Sequence, residues 1–347
     1  MTTPRQRSQR GFSLVELMVA LAVGLVLISG VVLLFANSST SASEFDKSLR
    51  QIENGRFAID VLQEDISVAG YFGEAVAEAT AAAVPPCANS VQVAADLETM
   101  RAATPAALPS GVEGLTAEQA ALLACLPNHK AGTPALIVRR LEGETLAADT
   151  ITPGLVYLQA SHNTADINAT YKAATASGGL DLKARDGSTN RVRRYLARVY
   201  YLASCSECGQ DSIPTLKRAE LAGASIRISP LAEGIDQIGF DYGFDTNNDG
   251  IPDQYLGLND GASTLVSGQA SVLGWGNVVA VRVHVVSRTT EPSAGVTDTR
   301  SYAIGLNGAT AATMGPMNDN FKRRAYTGTA RLNSVAGSRE KPTVPAP

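Results

Sequence analysis

Between Leu17 and Ala36 the chain carries twenty consecutive residues without a charge, LMVALAVGLVLISGVVLLFA. A helix rising 1.5 Å per residue spans about 30 Å over that length, the thickness of a bilayer's hydrocarbon core. An ordinary secretory signal has a shorter apolar stretch of roughly 7–15 residues, so the sequence predicts a membrane helix. Arg5, Arg7 and Arg10 precede it with no acid among them. Such a basic tip should stay in the cytoplasm and send the bulk of the chain outside. A rival cut at Thr40-Ser41-Ala42 would suit ordinary signal peptidase and release a soluble domain. The over-long apolar stretch argues against it, as does Glu16 at its start.

Composition narrows the rest. With 347 residues the chain can hold one or two globular domains, and 45% hydrophobic against 18% charged residues suits a folded protein. Aromatics are only 5%, which suggests a thin core with long connections. There are 29 Lys+Arg against 33 Asp+Glu. Three of the bases lie in the first eleven residues, so the remainder has 26 bases against 33 acids. A dedicated nucleic-acid binder is usually basic, and direct nucleic-acid binding is not expected.

Glu16 stands among apolar residues, where a bare carboxylate costs on the order of 2–3 kcal/mol near a helix centre and less near an end. Taken alone it reads as an acid at the positive end of a helix dipole, near the headgroups. Its neighbours add more. The string Arg10–Leu17, RGFSLVEL, resembles the class III signal of type IV prepilins. That resemblance implies a prepilin peptidase cutting after Gly11 and methylation of the new N-terminal Phe12. It also implies that Glu16 meets its own amine, or that of an adjacent subunit, as helices bundle into a filament.

Helical signals return after the polar stretch Asn37–Ser43, with Ser43 as an N-cap before Glu44. Phe45, Leu49, Ile52, Ile59, Leu62, Ile66 and Ala69 recur at three- and four-residue steps, an apolar stripe that should lie against a sheet. Gly70 and Gly73 end it. Residues 75–131 are Ala-rich and contain Pro85-Pro86, Pro105 and Pro109, with a short helix expected over Ala117–Cys125. Strand-like runs follow at Ala135–Leu141, Leu155–Gln159, Arg193–Leu202, Thr215–Leu221, Gln237–Tyr242, Asn277–Ser287 and Tyr326–Leu332. One N-terminal helix followed by runs of strands predicts an α+β head rather than alternating βαβ units.

The pieces RRYLARVYYLA, TLKRAEL, LAEGIDQIGFDYGFDTNNDGIPD, NVVAVRVHVVSRT and FKRRAYTGTARLNS, in that order, resemble the PilW family of minor pilins. The resemblance implies a pilin-like fold, with the long helix packed on an antiparallel sheet. The division is a cleaved leader over 1–11, a transmembrane and filament-core helix over 12–36, and its amphipathic continuation over 37–73. An Ala-rich insertion over 74–134 and a β-rich head over 135–347 complete it. The family's role is implied too: priming pilus assembly in a tip complex with other minor pilins, the major pilin and a large tip adhesin. Twitching motility and adhesion follow indirectly. The chain would sit in the inner membrane before assembly and in the extracellular pilus after it. The J-type pseudopilin of type II secretion is a near cousin, and a membrane-anchored head that never polymerises is the alternative of another class.

Four further features carry expectations. Asp245, Asn247, Asp249, the Ile251 carbonyl and Asp253 stand at alternate positions with Gly250 sixth, as in calcium loops of the EF-hand kind. Leu256, not a bidentate glutamate, stands twelfth, so Ca2+ would be a structural ion held without that residue's two oxygens. Outside the cytoplasm Cys87, Cys125, Cys205 and Cys208 should form disulfides. The CxxC spacing suggests a local bridge that leaves Cys87 with Cys125. Arg191 and Arg193 share one strand face and Arg194 and Arg198 the other, which reads as solvated sheet edge. His129, His162 and His284 lack metal-ligand spacing, and His284 should face a surface or subunit contact. No enzyme motif is present, so no catalysis is expected.

Overall fold

The structure, a computed structural model, describes residues 11–75, 78–80, 84–161, 170–258 and 274–340. Arg5, Arg7, Arg10 and His162 lie outside the described residues. The chain forms two units, Met1–Leu49 and Arg50–Pro347. Helix α1 spans Leu14–Ser67, 54 residues. In the first unit its large apolar side chains from Leu14 to Phe35 are all exposed. The polar stretch expected to restart the helix at Ser43 does not interrupt it. Thr40 Oγ1 donates to the Ala36 carbonyl at 3.0 Å and Ser48 Oγ to that of Glu44 at 2.9 Å. Hydroxyls bonded to the preceding turn ride inside a helix rather than cap a new one.

The second unit continues with β1 (Glu78–Thr80), α2 (Ser90–Ala102), β2 (Ala107–Pro109), β3 (Val112–Leu115) and α3 (Ala117–Ala121). Next come β4 (Ala135–Leu141), β5 (Tyr157–Ala160), β6 (Tyr171–Ala174) and β7 (Val192–Ala203). Then follow β8 (Thr215–Ala222), β9 (Ser225–Glu233), β10 (Ile235–Phe244) and β11 (Gln254–Gly257). The last elements are β12 (Val278–Arg288), β13 (Tyr302–Asn307), β14 (Thr310–Met314), β15 (Arg323–Arg331) and α4 (Asn333–Arg339). A seven-stranded sheet has the order β3-β4-β7-β5-β6, with β8 on β7 and β9 on β8; a four-stranded sheet has the order β11-β10-β12-β15. Every pairing in both is antiparallel. The architecture is α+β.

The main core forms where Ala58, Ile59, Leu62 and Ile66 of α1 meet both sheets. Tyr200 and Leu202 come from β7, Ile238 and Phe240 from β10, and Val281, Val283 and Val285 from β12. The alternation along β12 sends its valines inward. Phe45 and Leu49, expected at the start of the stripe, are exposed, and burial along α1 begins at Gln51. The helix ends at Ser67, and Gly70 (φ 74°) adopts the left-handed backbone that turns the chain away.

The stretch 74–134 is integrated into this fold. Its strand β3 pairs with β4, and α2 and α3 cover the face of the seven-stranded sheet that carries Tyr195, Val199 and Tyr201. The hairpin of β13 and β14 lies against the four-stranded sheet. A Cβ added at Gly239 would stand 1.9 Å from the Ile304 carbonyl oxygen, so that close approach requires glycine.

Candidate processing and assembly site

Gly11, Phe12 and Ser13 precede α1 as non-helical chain. The Ser13 N–H donates to Glu16 Oε2 at 3.0 Å, while Ser13 Oγ accepts the Glu16 N–H at 3.3 Å. This reciprocal pair is a capping box, which satisfies two of the N–H groups that a helix start leaves open. Sequence reasoning treated Glu16 as a dipole acid or an amine partner and missed the box. Its signal was the Ser-x-x-Glu spacing at 13–16. Phe12 is 91% exposed, and a Cβ built on Gly11 meets nothing within 4 Å. The Gly11–Phe12 peptide bond is therefore open and non-helical. One turn later stands a carboxylate aimed back along the chain, one residue short of the Phe12 nitrogen.

The 245–253 loop closes the end of β10 with its own donors. Asp245 accepts from the N–H groups of Asp249 (3.2 Å) and Gly250 (2.9 Å), and Asn247 Oδ1 accepts from Asp249 N–H (3.0 Å). Asp253 Oδ2 takes both the N–H and the hydroxyl of Thr246 at 2.7 Å. Asn248 (φ 61°) and Gly250 (φ 83°) supply the left-handed turns. Arg339 on α4 brings Nη1 to 3.1 Å from Asp245 Oδ2. Burial opposes ionisation of Asp245, yet the Gly250 N–H and Arg339 hold its carboxyl below the usual range. The side chains of the expected calcium set are thus engaged with N–H donors, the Thr246 hydroxyl and one guanidinium. Among the described residues no group of three His, Cys, Asp or Glu side chains is placed to hold a metal.

Cys87 is bonded to Cys125, and Cys205 to Cys208. The first bridge ties the segment before α2 to the one after α3; the second closes the turn between β7 and β8. The arginine reading needs correction. Strand β7 is interior, paired with β4, β5 and β8. Arg198 meets Asp65 of α1 at 2.8 Å and Glu220 at 2.7 Å, and Arg194 meets Glu142 at 3.3 Å. Asp65 also accepts from Arg140 Nε and the Tyr200 hydroxyl, a buried junction that no local pattern announced. His284 is buried rather than at a surface, because the β13–β14 hairpin covers that side of the sheet. Its Nε2 stands 2.8 Å from Asp241 Oδ2 and its Nδ1 3.2 Å from Thr327 Oγ1. His129 lies 2.9 Å from the Thr133 carbonyl and, among the described residues, belongs to no group of three metal-ligating side chains.

Comparison with known proteins returned three matches. Residues 6–32 match the family model of the prokaryotic N-terminal methylation motif, and residues 199–334 match that of the type IV pilus-assembly protein W. A type IV-like pilin from Thermus thermophilus aligns over 82% of this chain and 97% of its own, at TM-score 0.36 and 11% identity. Among curated proteins, no sequence match was found. With the methylation motif laid over the capped start of α1 and the assembly-protein match over β7 to α4, the chain carries a prepilin-type N-terminus and is similar to the type IV pilus-assembly protein W family over its C-terminal region.

Proposed function

We propose that the chain is a minor pilin that helps prime assembly of a type IV pilus and joins its tip complex. The observation that carries this reading is the exposed Gly11–Phe12 bond directly before an uncovered apolar helix opened by Ser13 and Glu16. The precursor is held in the inner membrane by that helix. A prepilin peptidase cuts after Gly11 and the Phe12 amine is methylated. The freed amine then stands beside the Glu16 carboxylate, which sets the stagger against neighbouring pilins in a weakly screened surrounding. The chain makes and breaks no bond itself; its work is packing against other minor pilins, the major pilin and a large tip adhesin.

The test is a deletion strain complemented with wild type or Glu16→Ala, scored for surface pili and for secreted proteins. Lost pili with normal secretion, restored by wild type and not by Glu16→Ala, is the expected result. Normal pili with exoproteins stranded in the periplasm would reassign the chain to a type II secretion pseudopilin. If both are normal, the assembly role fails, and a head that never polymerises takes its place.

A calcium ion on the 245–253 loop is a separate proposal, supported by the donor set at alternate positions. Binding must draw Asp245 away from Arg339. Millimolar CaCl2 should raise the melting temperature by about 3 °C if the site binds near 0.1 mM. Asp249→Ala should abolish that rise. An unchanged melting temperature overturns calcium binding and leaves Asp245 paired with Arg339.

A further inference from the structure

Among the described residues the buried lysines and arginines are Arg139, Lys217 and Arg323. Arg139 meets Glu113 at 2.8 Å, and Arg323 meets Asp236 at 2.7 Å. Lys217, on β8 and only 8% exposed, is ion-paired with no described carboxylate. Its ammonium donates to the Ser206 carbonyl at 2.9 Å and stands 3.7 Å from Cys208 Sγ. Asp211 feels Lys217 only at longer range, because its oxygens take the N–H groups of Ser206, Glu207 and Ile213 at 2.8, 2.7 and 3.0 Å. A buried cation without an anion is costly. The sulfur beside Lys217 becomes that anion once the Cys205–Cys208 bridge is reduced, since a neighbouring cation favours a thiolate.

The fold does not depend on this bridge staying closed. The three N–H bonds to Asp211 hold the turn by themselves. The bridge joins residues 3 apart, against 38 for Cys87–Cys125, and by chain entropy it contributes about half as much stability. Cys205 is buried and Cys208 is exposed, so one sulfur of the pair is open to attack.

We propose that Cys205–Cys208 is a thiol-exchange site for an external dithiol, with Cys208 the sulfur attacked and Lys217 the cation that receives it as a thiolate. One thiolate of the dithiol bonds to Cys208 Sγ, the Sγ–Sγ bond breaks, and the electron pair leaves on Cys205, whose Sγ lies 3.8 Å from the Ser204 hydroxyl. Cys205 then takes up a proton. The second thiolate attacks the first sulfur of its own molecule, and the electron pair passes to Cys208 beside Lys217. The dithiol is oxidised to a disulfide, the protein gains two electrons, and one proton goes to solvent. This activity belongs to the head and does not depend on Glu16.

The test uses the full-length protein in detergent micelles, treated with limiting dithiothreitol and quenched with a maleimide, with the labelled cysteines mapped by mass spectrometry. Cys205–Cys208 should open at least about tenfold faster than Cys87–Cys125. In mixtures of reduced and oxidised dithiothreitol at about pH 8, Lys217→Met should lower the equilibrium constant for reducing Cys205–Cys208 by about tenfold. Lys217→Arg should keep most of the wild-type value, and an unchanged constant for Cys87–Cys125 shows that both variants are folded. With oxidised glutathione, Cys205→Ser should form a mixed disulfide at Cys208 at least about tenfold faster than Cys208→Ser forms one at Cys205. Equal opening rates of the two bridges in the wild type overturn the proposal. So does a folded Lys217→Met with the wild-type constant, or a Cys205 that reacts as fast as Cys208.

Discussion

Arg323 has a side chain only 1% exposed, yet its guanidinium reaches three carboxylates. Nε stands 2.7 Å from Asp236, Nη1 3.2 Å from Asp298 and Nη2 2.7 Å from Asp319. Lys130 adds a second cation to Asp236 at 2.6 Å. Burial opposes ionisation of Asp236 and Asp298, but Lys130 with Arg323 on the first, and Tyr302 with Arg323 on the second, hold both below the usual range. The Arg323 hydrogen bond does the same for Asp319. Groups with depressed folded values contribute stability that is present above about pH 4 and lost as pH falls through those values. Arg323→Ala should cost about 3–5 kcal/mol at pH 7, because it strands buried carboxylates. Stranded carboxylates favour protonation, so the variant should gain stability between pH 7 and 5, where the wild type stays flat. Urea melts at the two pH values check this, and parallel changes in both proteins would contradict it. The sequence showed two adjacent arginines, Arg323 and Arg324, and could not show that the first is sealed in. Only Asp319 stands at a local, four-residue spacing; Asp236 and Asp298 lie 87 and 25 residues away, and such pairing leaves no local spacing to read.

Elements were legible in proportion to how one-sided their burial is. Strands β4, β7, β8, β10 and β12 are strongly buried along most of their length, and each stood out as an apolar run. Strand β9 is largely exposed, carries Pro230 and is joined to β8 by backbone pairing, so nothing in its side chains marked it. Helix α2 was hidden by its small residues; Asn89 caps it through the Gln92 N–H at 3.0 Å. The stripe on α1 told the face but not where the cover begins. Along α1 the approach to β15 is set by absent side chains. A Cβ on Gly55 would lie 2.3 Å from Tyr326 Cε2, and one on Gly328 2.8 Å from Ile59 and Gln63. Gly55→Val must therefore displace the Tyr326 ring. Overpacking of this kind costs about 1–3 kcal/mol and outweighs the roughly 1 kcal/mol by which glycine disfavours a helix. The denaturation midpoint should fall, and Tyr326→Ala in the same background should recover part of the loss. An unchanged midpoint would mean that the ring turns aside at no cost.

At the scale of the molecule, the first forty residues declared their class because a membrane helix is a matter of length and charge, both of which are local. The methylation-motif match over 6–32 falls on that same stretch. The head was legible only as α+β; its two larger sheets and their order depend on pairings such as Val112 with Val138 or Asp236 with Arg323, which no run of residues contains. Its cores are built entirely from residues after Leu49: the earliest member is Ala58, and α1 enters with Ala58, Ile59, Leu62 and Ile66. The Cys87–Cys125 bridge, across a separation of 38 residues, adds about 4 kcal/mol by chain entropy within the same unit. A unit with its own cores and staples should fold without the apolar helix. Residues 50–347, expressed with an export signal so that both disulfides form, should be soluble and melt cooperatively. Their midpoint should lie within about 2 °C of the head transition of the full chain in detergent, a difference of less than about 1 kcal/mol. A lower or broadened transition would mean that Leu14–Leu49 supports the head as well as anchoring it. Loss of membrane attachment and pilus formation could then no longer be separated from loss of folding.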